Sequence, residues 1–178
     1  MYPEIKSPAF HRAEGKDISA AVLDVLASYG YSNSTDNVFL QCFDPYELMR
    51  IHKDLLPAMS MELALVQLIG NGADFAPLLT EEGIQQVSGY AAGIGPSIHL
   101  LVDPDSAAND LKVTGLVARA HAAGLKVHPY TFRREPGQIP PYATDFENLL
   151  DIFFNQVGVD GVFTDFPDLA VSFIEAEM

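Results

Sequence analysis

Apolar residues in this chain follow two alternating patterns. Short runs that are apolar at both odd and even positions, rich in β-branched and aromatic residues, read as buried strands near residues 2–6, 38–43, 63–69, 93–101, 125–132 and 161–166. Between them the apolar positions recur at helical spacing. Ile18, Val22, Val25, Leu26 and Tyr29 form one stripe, which starts after a capping Asp17 and stops at Gly30. In DPYELMRIHKDL, Asp44 as N-cap, Pro45 in the first turn and Glu47 three residues after the cap make a capping-box-like start. Thr80 opens a helix after the loop GNGADFAPLL, and LKVTGLVARAHAAG, TDFENLLDIFFNQVG and DLAVSFIEAE complete the helical segments.

Strands apolar on both faces and separated by helices predict a parallel sheet covered by helices, an α/β architecture. A doubly wound sheet would carry a glycine-rich phosphate turn after its first strand. Here that turn reads KSPAFHRAEG, and the nearest match elsewhere, GIGPSI, lacks the third glycine. A (β/α)8 barrel of the TIM type places its working residues at the C-terminal strand ends, where Glu4, Lys6, Gln41, Phe43, Gln67, His99, Tyr130 and Asp165 fall. About six βα units are visible, whereas a full barrel has eight and roughly 250 residues. The expected fold is therefore an incomplete barrel. No linker divides residues 1–178, which read as a single domain, and the first visible strand reads as the third of eight. Such a sheet has unpaired strand edges, so self-association through them is expected.

Charge narrows the partners. With 24 acidic and 10 basic residues the chain carries −14, which excludes nucleic acid and anionic membrane as natural partners. No apolar run reaches the length of about 18 residues expected of a membrane-spanning helix. No signal-peptide pattern opens the chain, which as written reads as cytoplasmic. The lone cysteine, Cys42, sits in the apolar run VFLQCF and reads as a small buried side chain, with no adjacent cation to make it a nucleophile.

The candidate chemistry starts at the first strand. Positions i and i+2 share a face, so Glu4 and Lys6 point together, as do Gln41 with Phe43 and Tyr130 with Phe132. A carboxylate at a barrel mouth is expensive to desolvate unless it meets a cation. Glu4 therefore reads either as a metal ligand or as half of a structural ion pair with Lys6. Tyr130 and Phe132 form an apolar wall, Arg133 and Arg134 follow a strand end, and His128 is expected to face the helical layer. His52 and His121 fall in helical patterns and read as surface residues. His99 would line the mouth, and His11, on a loop at the functional end, is the candidate for acid–base work.

YPEIKSP, VFLQCFDPYEL, GLKVHPYTFR and GVDGVFTDFPDLAV together resemble the glycerophosphodiester phosphodiesterases, particularly the bacterial periplasmic type, over the whole chain. The resemblance implies a barrel that hydrolyses glycerophosphodiesters to sn-glycerol 3-phosphate and an alcohol with a divalent cation, Ca2+ or Mg2+. It implies a metal-ligand role for Glu4, phosphate contact for Lys6, substrate contacts for Gln41, Phe43, Tyr130 and Phe132, and a periplasmic location for a full-length exported enzyme. It also implies that the family's catalytic histidines and further acidic ligands lie upstream of the Glu-x-Lys strand. HRAEG at 11–15 is not the family's His-Arg-Gly motif, because it follows the strand and has Ala after Arg. The alternative expectation is a non-catalytic barrel remnant that binds metal and phosphate.

Overall fold

The computed structural model describes residues 1–177. Five strands, β1 (Glu4–Ile5), β2 (Phe39–Cys42), β3 (Ala64–Ile69), β4 (Gly93–Pro96) and β5 (Lys126–Val127), pair in parallel in chain order. Helices fill the crossovers: α1 (Pro8–Ala13), α2 (Ile18–Ser28), α3 (Pro45–Arg50), α4 (Leu56–Ala58), α5 (Glu81–Ser88), α6 (Leu116–Ala122), α7 (Phe146–Asp151) and α8 (Pro167–Glu177). π-helical turns extend α3 over Ile51–Leu55 and α7 over Ile152–Val157.

Chain-order parallel pairing rolls a sheet towards a barrel, and side chains confirm the roll. Tyr2, beside β1, stacks on Phe39 at 5.1 Å and meets Phe163, from beyond β5, edge-on at 4.5 Å. Residues this far apart in strand order touch only if the sheet curls round them. The register Glu4↔Gln41↔Val66↔Gly93↔Lys126 identifies the inner face. The outer face carries Ile5, Leu40, Leu65, Ile94 and Val127, all fully buried under the helices, each worth about 1.5–3 kcal/mol of burial.

The six expected strands become five. Residues near 160–164 run beside β5 through Asp160 N–H to Val127 O, Phe163 N–H to Pro129 O and Phe132 N–H to Phe163 O, but make only the single bridge Phe132↔Thr164. The fourth strand ends at Pro96, where the chain passes into a 3-10 turn over Ile98–Leu100. The helix expected from residue 111 begins at Leu116, because Val113 bridges Val102 and the Thr114 hydroxyl donates to Leu100 O at 2.7 Å. The loop over Ala73–Leu79 winds as a 3-10 helix. Gly30 takes the left-handed conformation expected of a helix stop, with φ 83°.

His128 corrects an expectation. It shares parity with Tyr130 and points into the curled sheet, where its Nδ1 meets the Tyr2 hydroxyl at 2.8 Å and its ring stands edge-on to Phe39 at 5.4 Å. Burial pushes its pKa down, against the pull of Asp160 upward, with Lys126 adding to the lowering. A histidine kept neutral in the fold contributes stability above its unfolded value near 6.5, and that contribution is lost as pH falls through its lowered folded value. We expect the urea midpoint to decline on acidification from pH 7 towards pH 5, with the decline reduced in His128→Phe; an unchanged pH profile in that variant would refute the role.

Candidate active site

β1 sets the site. It presents Glu4 to the inner face, two residues beyond the enclosed Tyr2, and Lys6 after it on the same side. Lys6 Nζ lies 3.8 Å from Glu4 Oε2; the glutamate side chain is 23% exposed and the lysine 76%. This loose pair leaves Glu4 free to accept a second cation. The chain then turns sharply at Ser7, which takes the left-handed conformation at φ 47°, and Pro8 starts α1. A cavity of about 470 Å³ opens here, lined by Glu4, Lys6, Ser7, Phe10, Phe43 and Asp44.

The segments that follow β2 and β5 supply the wall. Phe43 stands edge-on to Tyr130 at 5.9 Å and to Phe75 at 5.8 Å. The Tyr130 hydroxyl donates to Ile69 O at 3.1 Å, and burial, then the charge of Glu4, raises its pKa. Phe43 lines the cavity that Glu4 lines and touches Tyr130, which puts the Phe43–Tyr130 pair at that mouth. Gln41, in register with Glu4, is buried: its Nε2 donates to Tyr2 O at 3.3 Å, while Oε1 has no partner among the described residues.

Several expected residues lie elsewhere. Phe132 packs edge-on against Phe153 at 4.9 Å and is wholly buried in the helical layer, so the wall expected from Tyr130 with Phe132 is corrected to Tyr130 with Phe43. The two-residue rule fails because β5 ends at Val127 and the chain beyond it is irregular. Gln67 also faces outward, donating to the carbonyls of Cys42, Phe43 and Leu68 and accepting from the Tyr90 hydroxyl. His11 sits on α1 beside Phe10 and does not line the cavity; His99 is exposed on its 3-10 turn. Arg133 is engaged by Glu135 and Asp165, and Arg134 lies over the Phe166 ring. Cys42 is buried, donates to Ile5 O at 3.1 Å, and burial pushes its thiol up to about 11, consistent with an inert packing role.

The feature behind the site was not legible in the residue pattern. Glu47 sits where a capping-box glutamate belongs, yet it is 2% exposed and turned inward. It accepts from Ser19 Oγ at 2.5 Å, Arg50 Nη2 at 2.6 Å and Arg12 Nη1, while Arg50 forks onto Asp17 at 2.8 and 3.0 Å. One carboxylate thus ties α1, α2 and α3 together and holds the segment that follows Lys6. Its only sequence signal is the presence of Arg12, Asp17 and Arg50, whose convergence requires the fold.

Among the described residues no three His, Cys, Asp or Glu side chains converge as a cation cage. Glu4 fits a hard divalent cation in one way: as a single carboxylate, with the remaining oxygens drawn from a phosphate and water. No helix among the described residues is long and apolar enough to cross a membrane.

Residues 1–169 match the model of the glycerophosphoryl diester phosphodiesterase family. A glycerophosphodiester phosphodiesterase of Haemophilus influenzae is 38% identical, over 98% of this chain and 52% of the relative. One from Treponema pallidum is 34% identical, over 98% and 53%. The chain spans about half the length of these curated relatives. Among solved structures, an Oleispira antarctica phosphodiesterase in complex with the product sn-glycerol-3-phosphate aligns with a TM-score of 0.56 at 19% identity, covering 88% of this chain and 49% of the other. At that identity the likeness is one of fold.

Proposed function

We infer the function from one premise: this chain belongs to the glycerophosphoryl diester phosphodiesterase family. On that premise residues 1–178 form one domain, the C-terminal part of a barrel, and carry the Glu-x-Lys portion of a site that hydrolyses glycerophosphodiesters to sn-glycerol 3-phosphate and an alcohol. The observation that carries this reading is the shared inner-face position of Glu4 and Lys6 in a cavity at the C-terminal strand ends. Glu4 would hold a divalent cation, Ca2+ or Mg2+, which when bound supplies Lewis-acid polarisation of the phosphoryl oxygens. Lys6 places an ammonium against the same oxygens as negative charge grows on them. Phe43 and Tyr130 exclude water from one side and bear on the glycerol carbons, and Gln41 underpins the floor.

A second reading has its own support. Glu4 and Lys6 side by side in one cavity offer a carboxylate for a cation and an ammonium for a phosphate, which is enough for a unit that binds both without turnover. Release of sn-glycerol 3-phosphate from glycerophosphocholine, with added calcium or magnesium, separates the two. Turnover supports the hydrolase; folded protein that binds sn-glycerol 3-phosphate in a calcium-dependent way without turnover supports the binding unit.

The outer flank of β1 bears on assembly. Met1, Val25 and Tyr29 are exposed at 60%, 56% and 78%, beside an apolar groove of about 610 Å³ that includes Pro3 and Leu26. We propose that the isolated chain self-associates through this flank and its strand edge. Sizing chromatography should show a mass that grows with concentration and shrinks in Val25→Lys; a monomer at every concentration would end the idea.

A further inference from the structure

Asparagine followed by glycine is the most labile amide pairing in a polypeptide, because the glycine nitrogen reaches the asparagine side chain with no Cβ in the way. The chain holds one such pair, Asn71–Gly72. It lies between β3, which ends at Ile69, and the 3-10 segment Ala73–Leu79, and both residues are exposed. Among the described residues the Gly72 N–H donates to no acceptor. Asn33, Asn148 and Asn155 differ, since each side chain is held: by Ser32 Oγ at 3.1 Å, by the Thr144 N–H at 3.1 Å and by Asp151 at 2.8 Å.

The fold does not require glycine at 72. Its φ of −72° and ψ of 153° are extended backbone open to any residue, and a Cβ there would meet Phe75 Cδ2 at an ordinary 3.8 Å. Gly70 is the opposite case, where a Cβ would come within 2.9 Å of the same ring. The pair also bears on the mouth. Gly72 O accepts the Phe75 N–H at 3.0 Å, Phe75 stands edge-on to Phe43 at 5.8 Å, and Phe43 lines the cavity that Glu4 and Lys6 line.

We propose that Asn71 is a site of spontaneous deamidation and isomerisation, and that its product displaces the aromatic wall of the mouth. The Gly72 nitrogen attacks Asn71 Cγ, and the new C–N bond closes a five-membered imide. The Cγ–Nδ2 bond breaks and ammonia leaves, carrying off the Gly72 proton. Water then opens the ring at either carbonyl. One opening leaves aspartate; the other leaves isoaspartate, whose backbone runs through Cβ and is one methylene longer. Nothing is oxidised or reduced, and water is the only co-reactant. The added methylene falls between Gly70, which is packed against Phe75, and the Gly72 carbonyl that holds the Phe75 N–H, so the ring moves.

The inference is independent of any catalytic activity. The unmodified protein, kept folded in mildly alkaline buffer, should gain one mass unit in the peptide containing Asn71, and anion exchange should resolve a more acidic species. A protein isoaspartyl methyltransferase should methylate that species and not the fresh protein. Gly72→Ala, which the backbone accommodates, should keep its melting temperature and lose most of the mass gain. In the separated aged protein the NMR amide resonances of Phe75 and Phe43 should shift, and Asn71→Asp, which adds the charge without the methylene, should shift them less. Folded protein that ages no faster at Asn71 than at Asn33, or that ages at Asn71 only after unfolding in urea, overturns the site, whatever the variants do. Equal ageing in folded Gly72→Ala does the same. Ageing that leaves the Phe75 and Phe43 resonances in place overturns the link to the mouth.

Discussion

Glu4→Gln is expected to lower the release of sn-glycerol 3-phosphate from glycerophosphocholine by about a hundredfold or more, the scale of losing a principal electrostatic group at a reacting centre. The substitution keeps volume and hydrogen-bonding shape but removes the negative charge that would hold a hard cation. Stability should hardly move. The Glu4–Lys6 pair is 3.8 Å apart with its lysine mostly exposed, and pairs of that kind contribute about 0–1 kcal/mol. The experiment is therefore a comparison of turnover and melting on the same preparation, with calcium or magnesium varied. If the unmodified chain binds without turning over, the same loss should appear in calcium-dependent affinity for sn-glycerol 3-phosphate. Lys6→Ala should weaken that affinity in the absence of metal as well, because its ammonium meets the phosphate directly. Full activity or undiminished calcium-dependent binding in Glu4→Gln would remove the basis for placing the chemistry at this strand end.

Glu47→Ala carries the largest expected cost to the fold, about 3 kcal/mol. Hydrogen bonds to charged groups contribute roughly 1.5–3 kcal/mol each, and breaking a buried ion network costs roughly 3–5 kcal/mol. Arg12 and Arg50 are part-exposed and regain water when the carboxylate is lost, which keeps the figure at the lower end. Urea unfolding measures it, and a change below about 0.5 kcal/mol, the level of an ordinary surface substitution, would contradict the network. The sign with pH follows from the same contacts. Burial pushes the Glu47 carboxyl up, but Arg50, Ser19 and Arg12 together hold it below its ordinary 4.5. A carboxylate lowered in the fold contributes stability above the unfolded value, and that stability is lost as pH falls through the folded value. The acid loss below pH 4.5 should accordingly be shallower in Glu47→Gln than in the unmodified protein.

These two glutamates show how legibility divides. Glu4 was readable because its environment is local: a strand two residues wide, a lysine at i+2, and a turn immediately after it. Glu47 was readable as a helix-start residue, and α3 does begin there, with Asp44 accepting from Tyr46 and Glu47 N–H. Its side chain, however, answers to Arg12 and Ser19, which lie 35 and 28 residues away in the chain. The same partner explains α1, a helix of six residues that the apolar pattern does not announce. So short a helix is marginal alone, and the Arg12–Glu47 contact gives it a reason to persist. Phe132 failed for the opposite reason, since the alternation that holds from Lys126 through His128 to Tyr130 was extended one step past it.

By itself the sequence determined the places of the first five strands, the parallel α/β class, the caps at Asp17, Asp44 and Thr80, and the shared side of Glu4 and Lys6, because each follows from neighbours within a few positions. Only the tertiary structure decided that Tyr2, Phe39, His128 and Phe163 share one interior, that Phe43 and not Phe132 faces the mouth, and that Glu47 binds three helices. Those outcomes depend on how tightly the sheet curls and where each strand stops. Curvature and strand ends are set by contacts between segments far apart in the chain, which no local pattern encodes.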